Sequence, residues 1–166
     1  MKKEDKPQLI QIGMAEMVIS KTPATIITTV GSCIALCMYD PIIKIGGMVH
    51  IVLPNNPFPS EEKKIKQKYA DTAVMALFSD LILEGADRER IRAKIAGGAN
   101  MFLKFGLKCE ALDIGANNAK MTKKKLAEIH VPLIAEDTGG NHARRIKFDT
   151  DSGRMTVITD EEVKVL

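Results

Sequence analysis

Thr25-Ile26-Ile27-Thr28-Thr29-Val30-Gly31-Ser32-Cys33-Ile34-Ala35-Leu36-Cys37-Met38-Tyr39-Asp40-Pro41 decides the fold. The first six residues are all β-branched, a strong strand signal. Gly31-Ser32 interrupts the run, and residues 33–39 form a second, uniformly apolar strand candidate. Asp40-Pro41 makes a turn, because the residue before a proline is pushed out of the helical region. Gly46-Gly47-Met48-Val49-His50-Ile51-Val52-Leu53 then reads as a third strand. These connections are too short for crossover helices, so neighbouring strands pair antiparallel. The expected class is α+β: a layered, β-rich core of mixed or antiparallel sheets flanked by helices, rather than a doubly wound fold.

Working outward, residues 8–19 are short apolar runs broken at Gly13, one or two strands, with a frayed segment through Pro7. Ser60-Glu61-Glu62 is a helix start, with a Ser cap and carboxylates at the positive end of the dipole. Ile65, Tyr69, Ala73, Ala76, Leu77 and Leu81 fall on one helical stripe that ends at Gly85. Residues 93–96 form a short strand into Gly97-Gly98. A second helix runs over 118–129, with Thr122, Leu126 and Ile129 inward. Residues 131–135 return as a strand into Asp137-Thr138-Gly139-Gly140, and 145–148 with 155–158 form a closing hairpin. No repeat or linker divides the 166 residues, which are read as one domain, 1–166.

Composition narrows function. Net charge is only +3, aromatics are 4% and there is no Trp, which argues against a nucleic-acid face or a base-stacking surface. No window approaches the ~18 apolar residues of a membrane span. The charged start leads into no apolar signal core, so the expected setting is the cytoplasm. Three cysteines, Cys33, Cys37 and Cys109, fit free thiols in a reducing compartment rather than a disulfide framework.

Gly31-Ser32-Cys33 presents a side chain on a tight turn of small residues, and its backbone N–H groups suit a developing oxyanion. The bland reading is a buried cysteine after a turn. His50 points to the face opposite Val49 and Ile51. With the hairpin midpoint near residue 42, partners sum to 83 or 84, so Cys33 and His50 are expected opposite one another. An imidazole there takes the thiol proton and generates the nucleophile. Thr28 or Thr29 supplies a hydroxyl to orient the ring. Zinc on Cys33, Cys37 and His50 is disfavoured, since a strand sets the two sulfurs about 13 Å apart. Cys37 and Cys109 read as core thiols, His130 as a partner of a helix C-terminus, and His142 as exposed. Gly97-Gly98 and Gly139-Gly140 lack nucleotide-loop spacing. They are plain turns or the walls of a cleft in which Asn100, Asn141 and Arg144 supply hydrogen bonds. Glu136-Asp137 reads equally as a structural pair, and the lysine-rich runs at 63–68 and 120–125 as solvated helix faces.

Taken together, the motifs are specific. Gly31-Ser32-Cys33, then Gly47-Met48-Val49-His50 followed by Leu53-Pro54, resemble the CheD family. So do Lys68-Tyr69-Ala70-Asp71-Thr72-Ala73, Lys94-Ile95-Ala96-Gly97-Gly98-Ala99-Asn100-Met101-Phe102 and Ala135-Glu136-Asp137-Thr138-Gly139-Gly140. The resemblance covers roughly residues 9–150 in order. It implies a chemotaxis enzyme that hydrolyses glutamine side chains of methyl-accepting chemoreceptors to glutamate and ammonia, without metal or organic cofactor. It implies Cys33 as nucleophile, His50 as base and Thr28, chosen over Thr29, as the third member. Gly31 and Ser32 line the substrate site, with Asn100 and Arg144 as further contacts. It implies a fold like that of deamidating toxins related to cytotoxic necrotising factor, and the CheC phosphatase as a partner. The family's Ile-Gly-x-Arg-Asn reads Ile114-Gly115-Ala116-Asn117-Asn118 here, so the basic residue is replaced by Asn117. Two alternatives stay open: a non-catalytic regulator that docks receptors or CheC, and a cysteine peptidase or transglutaminase-like enzyme with the same dyad.

Overall fold

The computed structural model describes residues 7–57, 65–106 and 113–166. Among these, the chain runs β1 (Gln8–Gln11), β2 (Met17–Ser20), β3 (Ala24–Val30), β4 (Ile34–Asp40), β5 (Ile45–Ile51), α1 (Ala70–Leu83), β6 (Arg92–Gly97), α2 (Ile114–Glu128), β7 (Leu133–Thr138), β8 (Arg144–Asp149), β9 (Met155–Ile158) and β10 (Val163–Val165). The fold is α+β. One sheet has the order β1-β3-β8-β9-β10 and the other β2-β5-β4-β6-β7. Both are mixed: β1 pairs parallel with β3 and β6 parallel with β7, while the remaining pairs are antiparallel.

The molecule has three layers because the middle sheet is apolar on both faces. From β4, Ile34, Leu36 and Met38 point toward the helices, where they meet Leu77, Leu81 and Leu126. The alternate residues Ala35 and Cys37 point toward the first sheet and pack with Ile26, Val30, Ile146 and Phe148. This is the period of two of a strand buried on each side. All seven residues of β5 are buried, His50 included.

The hairpin register and the helix starts differ from those expected from the sequence. The β4–β5 hairpin pairs Asp40 with Ile45 and Ala35 with His50, so partners sum to 85 rather than 83 or 84. The cause is the turn. Asp40 Oδ1 accepts from the Ile42 N–H at 2.9 Å, the Lys44 N–H donates to the Asp40 carbonyl at 3.0 Å, and Lys44 takes a left-handed φ of 56°. Four residues are thereby held out of the ladder. Ala35 is therefore the direct partner of His50, and Cys33 stands just before β4, packed against the same inter-sheet layer that Ala35 faces. A slip of two leaves a strand residue on its face, where a slip of one would turn it over.

The first long helix begins at Ala70. Before it lie a 3₁₀ turn (Lys66–Lys68) and an extended Tyr69 that bridges Leu53. The expected Ser60 cap lies outside the described residues, as do the frayed start through residue 6 and Cys109. The second helix starts four residues earlier than its apolar stripe suggests. Asp113 caps it by accepting from the Ala116 N–H at 3.0 Å.

Candidate active site

Cys33 lies on the hop by which the chain leaves one sheet and enters the other. β3 belongs to the first sheet, β4 to the second, and residues 31–33 connect them. The carbonyls of this hop are all taken by the protein. Gly31 accepts from the Ala99 N–H, Ser32 from the Asn118 amide and Cys33 from the Gly98 N–H, each at 2.9 Å. In planar trans peptides the N–H following each carbonyl points the other way. The N–H groups of Ser32, Cys33 and Ile34 are thus turned away from those partners. The close approach depends on Gly97, whose φ is 119° and where a Cβ would sit 2.1 Å from the Cys33 carbonyl oxygen. Gly97-Gly98 therefore brace the loop that carries the thiol.

His50 faces the first sheet, and Thr28 reaches it from β3. The Thr28 Oγ1 and His50 Nδ1 are 2.8 Å apart, a bond that crosses from sheet to sheet. The Thr28 hydroxyl has a single hydrogen, and it donates that to the Ile12 carbonyl at 2.9 Å. It must then accept from the ring, which puts the proton of a neutral imidazole on Nδ1 and leaves the Nε2 lone pair unprotonated. Nε2 is buried and has no hydrogen-bond partner. Thr28 is itself buried, while Thr29 is exposed on the opposite side of β3.

Electrostatics favour an uncharged resting pair. Burial pushes the Cys33 thiol up. Burial also pulls the His50 pKa down, with the Glu16 charge opposing it in part. Both shifts disfavour a preformed thiolate–imidazolium pair. The arrangement suits concerted transfer, in which the proton leaves sulfur as the sulfur attacks.

Beside the hop lies a pocket of about 210 Å³ lined by Ser32, Ala99, Met101, Phe102, Ile114 and Gly115 among others. Met101 reaches to within 3.3 Å of where a Gly31 side chain would begin. Of its lining, Phe102 and Ile114 are exposed apolar residues.

Other expected contacts serve the fold. Asn100 donates to Asp113 Oδ2 at 3.2 Å and accepts from the Phe102 N–H at 3.0 Å, so its amide is spent on a turn. Arg144 is buried, and its guanidinium bonds Asp137 at 2.8 and 2.9 Å, tying β8 of one sheet to β7 of the other. Cys37 is fully buried. His130 is exposed at the left-handed position after α2, with φ of 58°, and His142 is exposed. Among the described residues no group of three His, Cys, Asp or Glu side chains is placed to hold a metal ion. Asn118 has no role in the sequence reading beyond matching the last Asn of the family's Ile-Gly-x-Arg-Asn stretch; a second signal is its place as a polar residue at the N-terminal end of the inward helical stripe with Thr122 and Leu126.

The profile of the family described as CheD chemotactic sensory transduction matches residues 52–159. A probable chemoreceptor glutamine deamidase CheD from Moorella thermoacetica is 41% identical over 155 residues, covering 93% of this chain and 92% of that protein. The chemoreceptor glutamine deamidase CheD of Thermotoga maritima is 43% identical over 147 residues, 88% of each chain. That of Halalkalibacterium halodurans is 39% identical over 152 residues, 91% of this chain and 93% of that one. Among solved structures, the hypothetical protein YfiH of Bacillus licheniformis matches with a TM-score of 0.44 at 13% identity, over 74% of this chain and 49% of that one. No described helix is long and apolar enough to cross a membrane. On the strength of its profile match and of relatives at about 40% identity along most of its length, this chain belongs to the CheD family.

Proposed function

We propose that this chain deamidates glutamine side chains of chemoreceptors on the cytoplasmic side, with Cys33 as nucleophile, His50 as general base and acid, and Thr28 as the residue that orients the ring. The observation that carries the reading is the fixed tautomer of His50: Thr28 engages Nδ1, and the basic Nε2 is left unpartnered between the two sheets, the layer against which Cys33 also packs. The printed names of the relatives, chemoreceptor glutamine deamidase, supply the substrate class.

In this mechanism Cys33 Sγ attacks the carboxamide carbon while Nε2 takes the thiol proton. The oxyanion is received by N–H groups of the 31–33 hop; one preorganised donor of this kind is worth on the order of 3 kcal/mol. Imidazolium returns its proton to the nitrogen, ammonia departs and a thioester remains. Water, deprotonated by the same Nε2, then hydrolyses the thioester, releasing glutamate and restoring the thiol. The sum is glutamine plus water giving glutamate plus ammonia, with no redox change.

The test is incubation of the purified chain with a chemoreceptor signalling domain, with ammonia assayed and converted glutamines mapped by peptide mass. The expected result is conversion by wild type and none by Cys33→Ala. Cleaved or crosslinked receptor would instead favour the peptidase or transglutaminase reading, and full conversion by Cys33→Ala would end the proposal. The exposed apolar residues beside the hop also suit a protein partner, and the CheC phosphatase is proposed as one. Co-elution of the two purified proteins checks it.

A further inference from the structure

Asn118 is fully buried on α2, and both N–H bonds of its amide leave the helix. One goes to the Ser32 carbonyl and the other to the Val52 carbonyl, each at 2.9 Å. Ser32 precedes Cys33 on the hop, and Val52 stands two residues beyond His50. A single planar amide therefore ties the loop of the thiol to the end of the strand that carries the imidazole. Turned the other way, the amide would set its oxygen against two carbonyl oxygens, so its neighbours fix its orientation.

Three features mark this as more than packing. First, the Asn118 Oδ1 is buried without a partner, a cost that an apolar side chain of similar shape would avoid. Second, α2 is brought unusually close to the loop. A Cβ on Gly115 would lie 2.4 Å from the Ala99 carbonyl oxygen and 2.6 Å from the Gly98 backbone. That contact sets the start of the helix against 98–99, and Asn118 follows three residues later. Third, the peptide that Asn118 holds is the one whose N–H belongs to Cys33, and a Ser32 carbonyl drawn toward α2 turns that N–H away from it.

We infer that Asn118 is a positioning residue for the deamidation proposed above: it fixes the Ser32–Cys33 peptide so that the Cys33 N–H faces the substrate oxyanion, and it locks that peptide to the strand of His50. The inference rests on the reading of the site as a deamidase. Asn118 touches no reacting atom. Its effect falls on the steps that build negative charge on the carboxamide oxygen.

The experiment compares wild type, Asn118→Asp, Asn118→Ala and Leu126→Val. Leu126 is a buried residue two turns further along α2 that packs in the core and reports simple loosening of the helix. For each protein, kcat and KM for receptor glutamine conversion, the rate of Cys33 alkylation by iodoacetamide and the thermal midpoint are measured. Alkylation at a saturated carbon builds no oxyanion, so it reads thiol access and basicity alone. Both Asn118 variants are expected to lose about 10- to 100-fold in kcat, with KM and Cys33 alkylation near wild type. Leu126→Val is expected to lower the midpoint while leaving kcat in place. An unchanged kcat in the Asn118 variants overturns the inference. So does a fall in alkylation and turnover together, in step with loss of folded protein, since Asn118 is then only structural. A wild-type protein that converts no glutamine removes the deamidase reading itself, a result visible before any variant is compared.

Discussion

At the scale of single residues, the site turns on which nitrogen of His50 holds the proton. Thr28 settles this by spending its only hydrogen on Ile12 and accepting from Nδ1. Thr28→Val removes the acceptor but keeps the shape, and is expected to lower kcat about 10- to 100-fold with little change in KM; Thr28→Ser restores most of the loss. Because burial holds the His50 pKa below 6.5, the acid limb of the kcat/KM profile is expected to have its midpoint below that value. A midpoint above 6.5 would mean an imidazolium stabilised by a thiolate, contrary to the uncharged pair described here. Asp40 shows the same physics in a structural role. Burial opposes its ionisation, yet the Arg90 guanidinium and the N–H groups of Asp87, Ile42 and Ile43 bring its pKa from 3.8 to about 2. The folded-state value is depressed, so this contribution to stability is full above pH 3.8 and is lost as pH falls toward about 2. Asp40→Ala is expected to cost roughly 2–3 kcal/mol at neutral pH by denaturant melts, less than a wholly buried pair because Arg90 is partly exposed. The difference from wild type should shrink across that acid window.

At the scale of elements, the hop between β3 and β4 is the decisive piece. Its tightness was legible in the sequence, because a run of β-branched residues that stops at Gly31-Ser32 and resumes as an apolar strand leaves few other conformations. The face of His50 was equally legible from the alternation with Val49 and Ile51. The register was not. The turn is legible at Asp40–Lys44, but a midpoint near residue 42 misses the four-residue loop by half a position, and the side-chain bonds of Asp40 that hold residues 41–44 out of the ladder are not visible in a hydrophobic pattern. Gly97 is another case. A Gly-Gly pair after a strand looks like an ordinary turn, and only the structure reveals the Cys33 carbonyl packed where a side chain would begin. Gly97→Ala is expected to destabilise by about 2–3 kcal/mol and to lower turnover by displacing the hop. A melt and a rate assay on one preparation check both effects.

At the scale of the whole molecule, the residues of the proposed site are brought to one place because two sheets pack face to face. Thr28 comes from one sheet, His50 from the other, and Cys33 from the strand-to-strand hop between them. No local stretch of sequence contains that geometry. It follows from Ile26, Val30, Ala35, Cys37, Ile146 and Phe148 closing the inter-sheet layer. For the same reason the ion pair of Arg144 is not legible in the sequence: Asp137, its partner, lies on the opposite sheet. Phe148→Ala is expected to cost about 3–5 kcal/mol and to lower turnover even under conditions where the protein remains folded, as the sheets and with them Thr28 and His50 lose their spacing. Urea melts and rates at low temperature separate the two effects. In the proposed reaction the Cys33 sulfur becomes bonded to the carbon of the substrate amide. Acid quenching of wild-type protein during turnover with a chemoreceptor, followed by digestion and mass mapping, tests it directly. The expected product is a hydroxylamine-labile thioester joining a receptor glutamine position to Cys33, absent in Cys33→Ala. Glutamate formed at full rate by Cys33→Ala, with no adduct on wild type, would contradict it.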